Sequence, residues 1–392
     1  MMPTFKYSQV VNQEDIQQLG NILEQCFLMS PGESEIFFNR LGLENLRIIH
    51  QGEQVAGGLV MIPMGQWWGT HRVPMTGIAG VGIAAEHRGS GAALAMMQHT
   101  VKELYAKGVP ISVLYPATQR LYRKAGYEQG GAFCIWEVDT QSIQLREQPL
   151  PVIPVVPNHH EIFHDLYQQQ AKLNNGHLDR HQGIWKYLIR SDEKEAVYAY
   201  LIGCADQPQG YIIFSQHQNQ DGSLILLRDW TVLTTAAVQT FWSFLANYRS
   251  QIKYVQWKGS AIDSLTLLLP EQTAKQKSAK RWMLRIIDVS QALEKRGYPP
   301  EIEIELHLEV QDDLLAENNG RFILSVANGR GEVTSGGKGE MKLDIRGLAP
   351  LYTGLFTPQQ LQLAGKLDAT ETALLAATQI FAGVSPWMAD FF

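Results

Sequence analysis

The densest chemistry in the chain lies in VGIAAEHRGSGAALAMM, residues 81–97. An apolar strand signal, Val81-Gly82-Ile83, runs into a turn of small residues, Gly89, Ser90 and Gly91. The turn opens an amphipathic helix whose inner stripe is expected to be Ala93, Met96, Met97, Thr100, Val101 and Leu104. A helix start without bulky side chains leaves several backbone N–H groups unobstructed. With the helix dipole they form an anion site suited to a pyrophosphate. A second feature stands at the other end, where SPWMADFF closes on Phe391 and Phe392. Trp387, Phe391 and Phe392 are expected to plug a hydrophobic groove, and burying Phe392 would also deliver its α-carboxylate to a chosen place.

Three phosphate-binding patterns compete for the glycine turn. A Walker A loop is absent: its nearest approach, GEVTSGGKGE, has Glu332 where the first glycine belongs and Gly339 where Ser or Thr belongs. Gly80 to Ala85 fits G-x-G-x-x-A formally, but within the strand rather than at a helix start, and no βαβ unit follows with its acidic residue. Arg88-Gly89-Ser90-Gly91-Ala92-Ala93 fits Arg/Gln-x-x-Gly-x-Gly/Ala after a strand. This resembles the coenzyme A pyrophosphate motif of the GNAT acyltransferases. The next stretch, VPISVLYPATQRLYRKAGYEQGGAF, keeps the family's order of strand, short helix and aromatic-Gly-Tyr return. A glycine turn without a ligand is the bland alternative.

Acetyl transfer to an amine needs a base, because free amines are mostly protonated at neutral pH. It needs donors for the developing oxyanion and an acid for the departing thiolate, whose ordinary pKa is about 8.5. The backbone of Val81-Gly82-Ile83 can align a pantetheine arm, and the Tyr122 hydroxyl can protonate sulfur; simple packing is the competing role for Tyr122. His159, His160 and His164 follow a proline-rich stretch without a matching carboxylate cluster, so they read as surface histidines and no metal is expected. His87 reads equally as a phosphate contact or a solvated turn residue. Glu33 and Glu35 read as helix capping, with attraction of a cationic amine as the sharper alternative.

These residues need a scaffold. The chain of 392 residues is too long for one ordinary core, and 45% hydrophobic with 18% charged residues describes a folded globular protein. A net charge of −6 argues against nucleic acid as a partner. The three cysteines, Cys26, Cys134 and Cys204, lie far apart and suit reduced thiols in a cytoplasm. No apolar run approaches the roughly 18 residues of a membrane span, and no signal pattern opens the chain. Up to about residue 146, helix and strand signals alternate as in a mixed α/β sheet. REQPLPVIPVVPNHH then reads as a linker, too rich in proline for a helix or central strand. Residues to about 285 repeat the strand-and-helix order without the glycine cluster. The last segment carries strands, the glycine-rich NGRGEVTSGGKGE as a mobile loop or wide hairpin, and closing helices.

Taken together, VGI, HRGSGAAL and PATQRLYRKAGY, the middle segment with HLDRHQGIWKYLI, and NNGRFILSVANG with LDIRGLAPLYTG resemble the Eis (enhanced intracellular survival) family of GNAT N-acetyltransferases. The resemblance implies an α+β fold of tandem GNAT-like mixed sheets plus a C-terminal sterol-carrier-like domain. The expected domains are 1–146, catalytic; 147–285, GNAT-like without a coenzyme motif; and 286–392, sterol-carrier-like. It implies acetyl-CoA as co-substrate, with Val81, Gly82 and Ile83 holding the pantetheine and thioester. Arg88, Gly89, Ser90, Gly91, Ala92, Ala93 and Leu94 would bind the pyrophosphate, and Ala117 and Thr118 would flank the cofactor. Tyr122 would be the general acid and the Phe392 α-carboxylate the base. The acceptor would be an amine, of an aminoglycoside-like polyamine or a lysine side chain, and the assembly a homo-hexamer in the cytoplasm without membrane or nucleic-acid partners. Where family members place an acidic residue just before the last, this chain has Phe391, with Asp390 one step earlier. The rival readings are a lipid- or sterol-binding protein with an apolar tunnel in the last segment, and a catalytically silent acyl-CoA sensor.

Overall fold

The computed structural model describes residues 4–191 and 195–392. The chain forms two compact units: one holds the chain up to Gly131, Arg281–Val384 and Phe391–Phe392, the other Ala132–Lys280 and Ser385–Asp390.

The first unit opens with β1 (Phe5–Gln9), α1 (Gln13–Phe27), α2 (Glu33–Leu41), β2 (Leu46–Gln51), β3 (Gln54–Trp68), β4 (His71–Ile83), α3 (Ala92–Ala106), β5 (Ile111–Leu114) and α4 (Gln119–Lys124). Helix α1 starts where Asn12 Oδ1 accepts the Asp15 N–H at 2.7 Å, with Glu14 and Asp15 in the first turn complementing the dipole. It buries Leu19 and Leu23. Strands β1 to β4 pair antiparallel in order, and β4 then pairs parallel with β5. Strand Lys275–Ile286 closes this edge, Met283 to Ile286 lying antiparallel to β5. Helix α3 buries Ala92, Met96, Met97, Thr100, Val101 and Leu104. The expected stripe thus needs one correction. The helix begins at Ala92, so the i, i+4 series 92, 96, 100 faces inward and Ala93 turns to half exposure.

The same unit carries the last segment. Strands Ile304–Gln311, Gly320–Ala327 and Arg330–Ser335 pair antiparallel, and Met341–Asp344 lies parallel to the first of them. The glycine-rich loop resolves into a tight hairpin at Asn328-Gly329, both left-handed. The interior beneath is occupied rather than hollow. The buried Arg296 guanidinium lies about 5 Å from the rings of Tyr298, Tyr352 and Phe381 and donates to the carbonyls of Gly297 and Tyr352. A lipid tunnel is therefore not favoured in this segment. A buried ion pair, Arg285 to Asp312 at 2.6 Å, ties strand Lys275–Ile286 to the loop after Ile304–Gln311.

The second unit repeats the pattern. Strands Val197–Cys204, Gln207–Asn219 and Gly222–Val232 form an antiparallel ladder. Helix Thr235–Ala246 crosses over to Tyr254–Gly259, parallel to Gly222–Val232, and Glu128–Asp139 then pairs antiparallel through its residues 134–139. The proline-rich stretch is more structured than a linker. Val152–Val155 pairs with Val197–Cys204 as an edge strand, where Pro154 withholds no needed ladder donor. Among the described residues no helix is long and apolar enough to cross a membrane.

Candidate active site

Strand β4 pairs with β5 only from Met75–Ile111 to Ile78–Leu114. Strand β5 then stops while β4 runs on to Ile83, so Val81, Gly82 and Ile83 have no strand partner on that side among the described residues. On its other side β4 skips one residue: Gly58 faces Gly82, yet Val60 faces Ala79. Gly80, at φ +57, sits in this bulge, which re-aims the strand end.

Beyond Ile83 a short turn, Ala85–His87, leads to the helix. Gly91 is the α3 N-cap, at φ +95 and with no side chain to cap the helix. The first intrahelical bond runs from the Ala95 N–H to the Gly91 carbonyl. The N–H groups of Gly91, Ala92, Ala93 and Leu94 therefore precede the ladder, and among the described residues a 3.3 Å bond from Ala92 to Ser90 Oγ draws on them in the turn. Gly89 faces open space, and the first turn of α3 has no acidic residue. This cradle has the shape and sign for a pyrophosphate, so the expected coenzyme residues fit such a group. Arg88 is exposed and folds back, its Nε 3.4 Å from the Ile83 carbonyl and an Nη 3.5 Å from Cys26 Sγ.

Tyr122, on α4, is 4% exposed and packs in one core cluster with Ile78, Ala92, Met96 and Leu114, against which Val81 and Ile83 lie. Burial pushes its hydroxyl up to about 12. Ala117 and Thr118 are exposed just ahead of α4, Thr118 as its N-cap.

Phe392 lies at the point where β4 and β5 diverge. Its ring covers Gly77 so closely that a Cβ there would sit 2.6 Å from the ring edge. Tyr115, the first residue after β5, meets Phe391 at 4.7 Å and Phe392 at 6.0 Å between ring centres. Gly77 and Tyr115 escaped the sequence reading, since nothing local marks them. Glu24 escaped it too. Its carboxylate accepts from the Gly32 and Ser34 N–H groups and the Ser34 hydroxyl, fixing the α1–α2 corner. Glu33 acts as a local cap, accepting the Ser30 N–H at 2.9 Å. His160 and His164 pack on Trp185, and no group of three or more metal-ligating side chains converges among the described residues.

Family models match this layout in order: an acetyltransferase (GNAT) domain over residues 9–130, a second over 176–286, and a sterol carrier protein domain over 289–389. A solved GCN5-related N-acetyltransferase from Anabaena variabilis is 64% identical, with TM-score 0.98, covering 99% of this chain and 100% of that one. The chain belongs to the Eis-like GNAT N-acetyltransferases. Within that family, N-acetyltransferase Eis of Mycobacterium tuberculosis is 25% identical over 77% of this chain and 76% of its own. Eis1 of Mycobacterium abscessus, 18% identical, shares the fold with TM-score 0.82 over 99% of this chain and 100% of that one. An Eis-like GNAT chain is an acyltransferase, and acetyl-CoA is the co-substrate of GNAT enzymes. Its second GNAT domain starts its crossover helix differently. Thr234 Oγ1 accepts the Ala237 N–H at 3.1 Å, filling with a side chain the place that Gly91 leaves bare in the first.

Proposed function

We propose that the protein transfers the acetyl group of acetyl-CoA to an amine at the β4–β5 divergence, through a ternary complex. The observation that carries this reading is the Phe392 ring seated on Gly77 beside Tyr115, at the strand fork whose far end leads into the bare α3 N-terminus. Bound acetyl-CoA supplies the activated thioester. The glycine turn and the start of α3, from Gly89 through Leu94, hold its pyrophosphate with Arg88 alongside, and Ala117 and Thr118 border it. The free edge of Val81 to Ile83 aligns the pantetheine and donates to the carbonyl oxygen as charge develops there. The Tyr122 hydroxyl keeps its proton through neutral pH and gives it to the leaving sulfur, while the Phe392 α-carboxylate takes the proton of the attacking amine. The acceptor is an amine of an aminoglycoside-like polyamine or a lysine side chain. The family resemblance further gives three domains at 1–146, 147–285 and 286–392, a homo-hexamer and a cytoplasmic setting.

The test is to append one alanine after Phe392. The reading expects turnover, followed by thiol release from acetyl-CoA with a panel of polyamines and aminoglycosides, to fall roughly 100-fold with acetyl-CoA affinity retained. Undiminished turnover would remove the carboxylate from the mechanism. Acetyl-CoA binding without thiol release for any acceptor in the panel would favour a silent acyl-CoA sensor.

A further inference from the structure

The second unit has a strand fork of its own. Gly222–Val232 and Tyr254–Gly259 pair in parallel only from Leu224–Tyr254 to Leu226–Gln256 and then separate, as β4 and β5 do. Both strands continue past that point, and the Trp230 indole N–H reaches the Lys258 carbonyl at 3.3 Å. The opening is filled by the chain's own segment Ser385–Asp390. The Trp387 N–H donates to the Asn175 carbonyl at 3.0 Å, and its ring lies 4.3 Å from His177 and stacks at 6.4 Å on Trp230. Lys258 Nζ donates to the Ala389 carbonyl at 2.9 Å. The space left between these groups is about 10 Å³, room for at most one water. No acyl carrier fits there beside the segment.

Arg180 pairs with the carboxylate at the end of this segment. Arg180 is buried, its Nε 3.0 Å from the Asp390 carboxylate and its two Nη atoms 2.6 and 2.9 Å from Asp229. Its guanidinium lies 3.6 Å from the Tyr167 ring and 4.5 Å from Trp185, and the Tyr211 hydroxyl donates to Asp229 at 2.6 Å. A planar cation held on two carboxylates and two rings has little freedom to move. Asp390 is 3% exposed and stands two residues before Phe392, so about 7 Å of extended chain separates its anchor from the end.

We propose that the second GNAT fork has exchanged a coenzyme for the segment Ser385–Asp390, and that Arg180, acting through Asp390, is a positioning residue for Phe391 and Phe392 in acyl transfer. This rests on the function proposed above. Asp390→Asn isolates the anchor, because Arg180 keeps both contacts to Asp229 and the side-chain volume is unchanged. Hydrogen exchange of the peptide spanning residues 385–392 in the full chain, read by mass spectrometry, is expected to speed up at least tenfold. kcat is expected to fall at least tenfold, with the KM for acetyl-CoA within twofold of the parent. Arg180→Lys, which keeps the charge but loses the fork, is expected to lie between parent and Asp390→Asn in both readouts. Leu245→Ala, a core truncation away from the segment, serves as the stability control and is expected to lower Tm while leaving kcat and tail exchange unchanged. Unchanged exchange in Asp390→Asn, or faster exchange with an unaltered kcat, overturns the proposal. A kcat loss matched by the Leu245→Ala control also overturns it. Failure of the underlying function is recognised separately, by the absence of thiol release from acetyl-CoA in the parent chain with every acceptor of the panel.

Discussion

Gly77 decides how close the end of the chain comes to β4. An added methyl would lie 2.6 Å from both the Phe392 ring and the Met64 terminal carbon, so one of them must shift. Gly77→Ala is therefore expected to lower kcat about tenfold or more while leaving the acetyl-CoA KM nearly constant, since displacement by a fraction of an ångström is felt by a positioned group. An unchanged kcat would show that the ring's seat is irrelevant to turnover. Tyr122 makes a different prediction. Its hydroxyl, raised to about 12 by burial, remains a donor across the working pH range. Tyr122→Phe should cut kcat roughly 100-fold at constant acetyl-CoA KM. Equal loss of both would identify a packing residue, as its place in the core cluster also allows. The residues of the anion turn were legible because their small size and adjacency are local properties. Gly77, Tyr115 and Arg180 were not, because each matters through a partner distant along the chain.

At the scale of elements, α3 is pinned at its far end by Glu103. Burial alone pushes this carboxyl up, but hydrogen bonds from Arg47 on β2, Lys107 and Tyr7 on β1 outweigh it and bring it down to about 2. A carboxyl depressed in the folded state adds stability that is complete above its unfolded pKa and is lost as pH falls through the folded one. Thermal unfolding followed from pH 6 downward should thus show Tm dropping between about pH 4.5 and 2. In Glu103→Gln this part of the drop should be absent, and identical slopes for the two proteins would contradict the assignment. Most elements were legible from apolar periodicity, including the β4–turn–α3 sequence. The proline-rich edge strand was not, because edge pairing depends on which strand lies beside it. The Asn328-Gly329 hairpin was hidden by glycines that read equally as a loose loop.

For the whole molecule, sequence patterns separate three segments, whereas contacts join the first and last into one compact unit. The Arg285–Asp312 pair is part of that joint. Both side chains are essentially unexposed, and Asp312 also accepts from the Leu314 and Leu315 N–H groups and Asn318 Nδ2. Asp312→Ala leaves a buried guanidinium without its counter-charge and is expected to destabilise the first unit by about 3–5 kcal/mol. Denaturant unfolding monitored by signals from both units should show an early transition for the first unit. A loss below about 1 kcal/mol would mean that water or another carboxylate takes over the charge.

The bare start of α3 has a consequence for how this protein can be dissected. An anion held by the main-chain amides of Gly91 to Leu94 is invisible to an alanine scan, because replacing side chains there removes no donor. Mutational maps would score the loop as tolerant wherever the left-handed geometry of Gly89 and Gly91 is respected. Backbone chemistry would find what side-chain substitution misses. Ester linkages placed one at a time across residues 91–94 by semisynthesis would each delete one N–H and should weaken the hold on the coenzyme step by step.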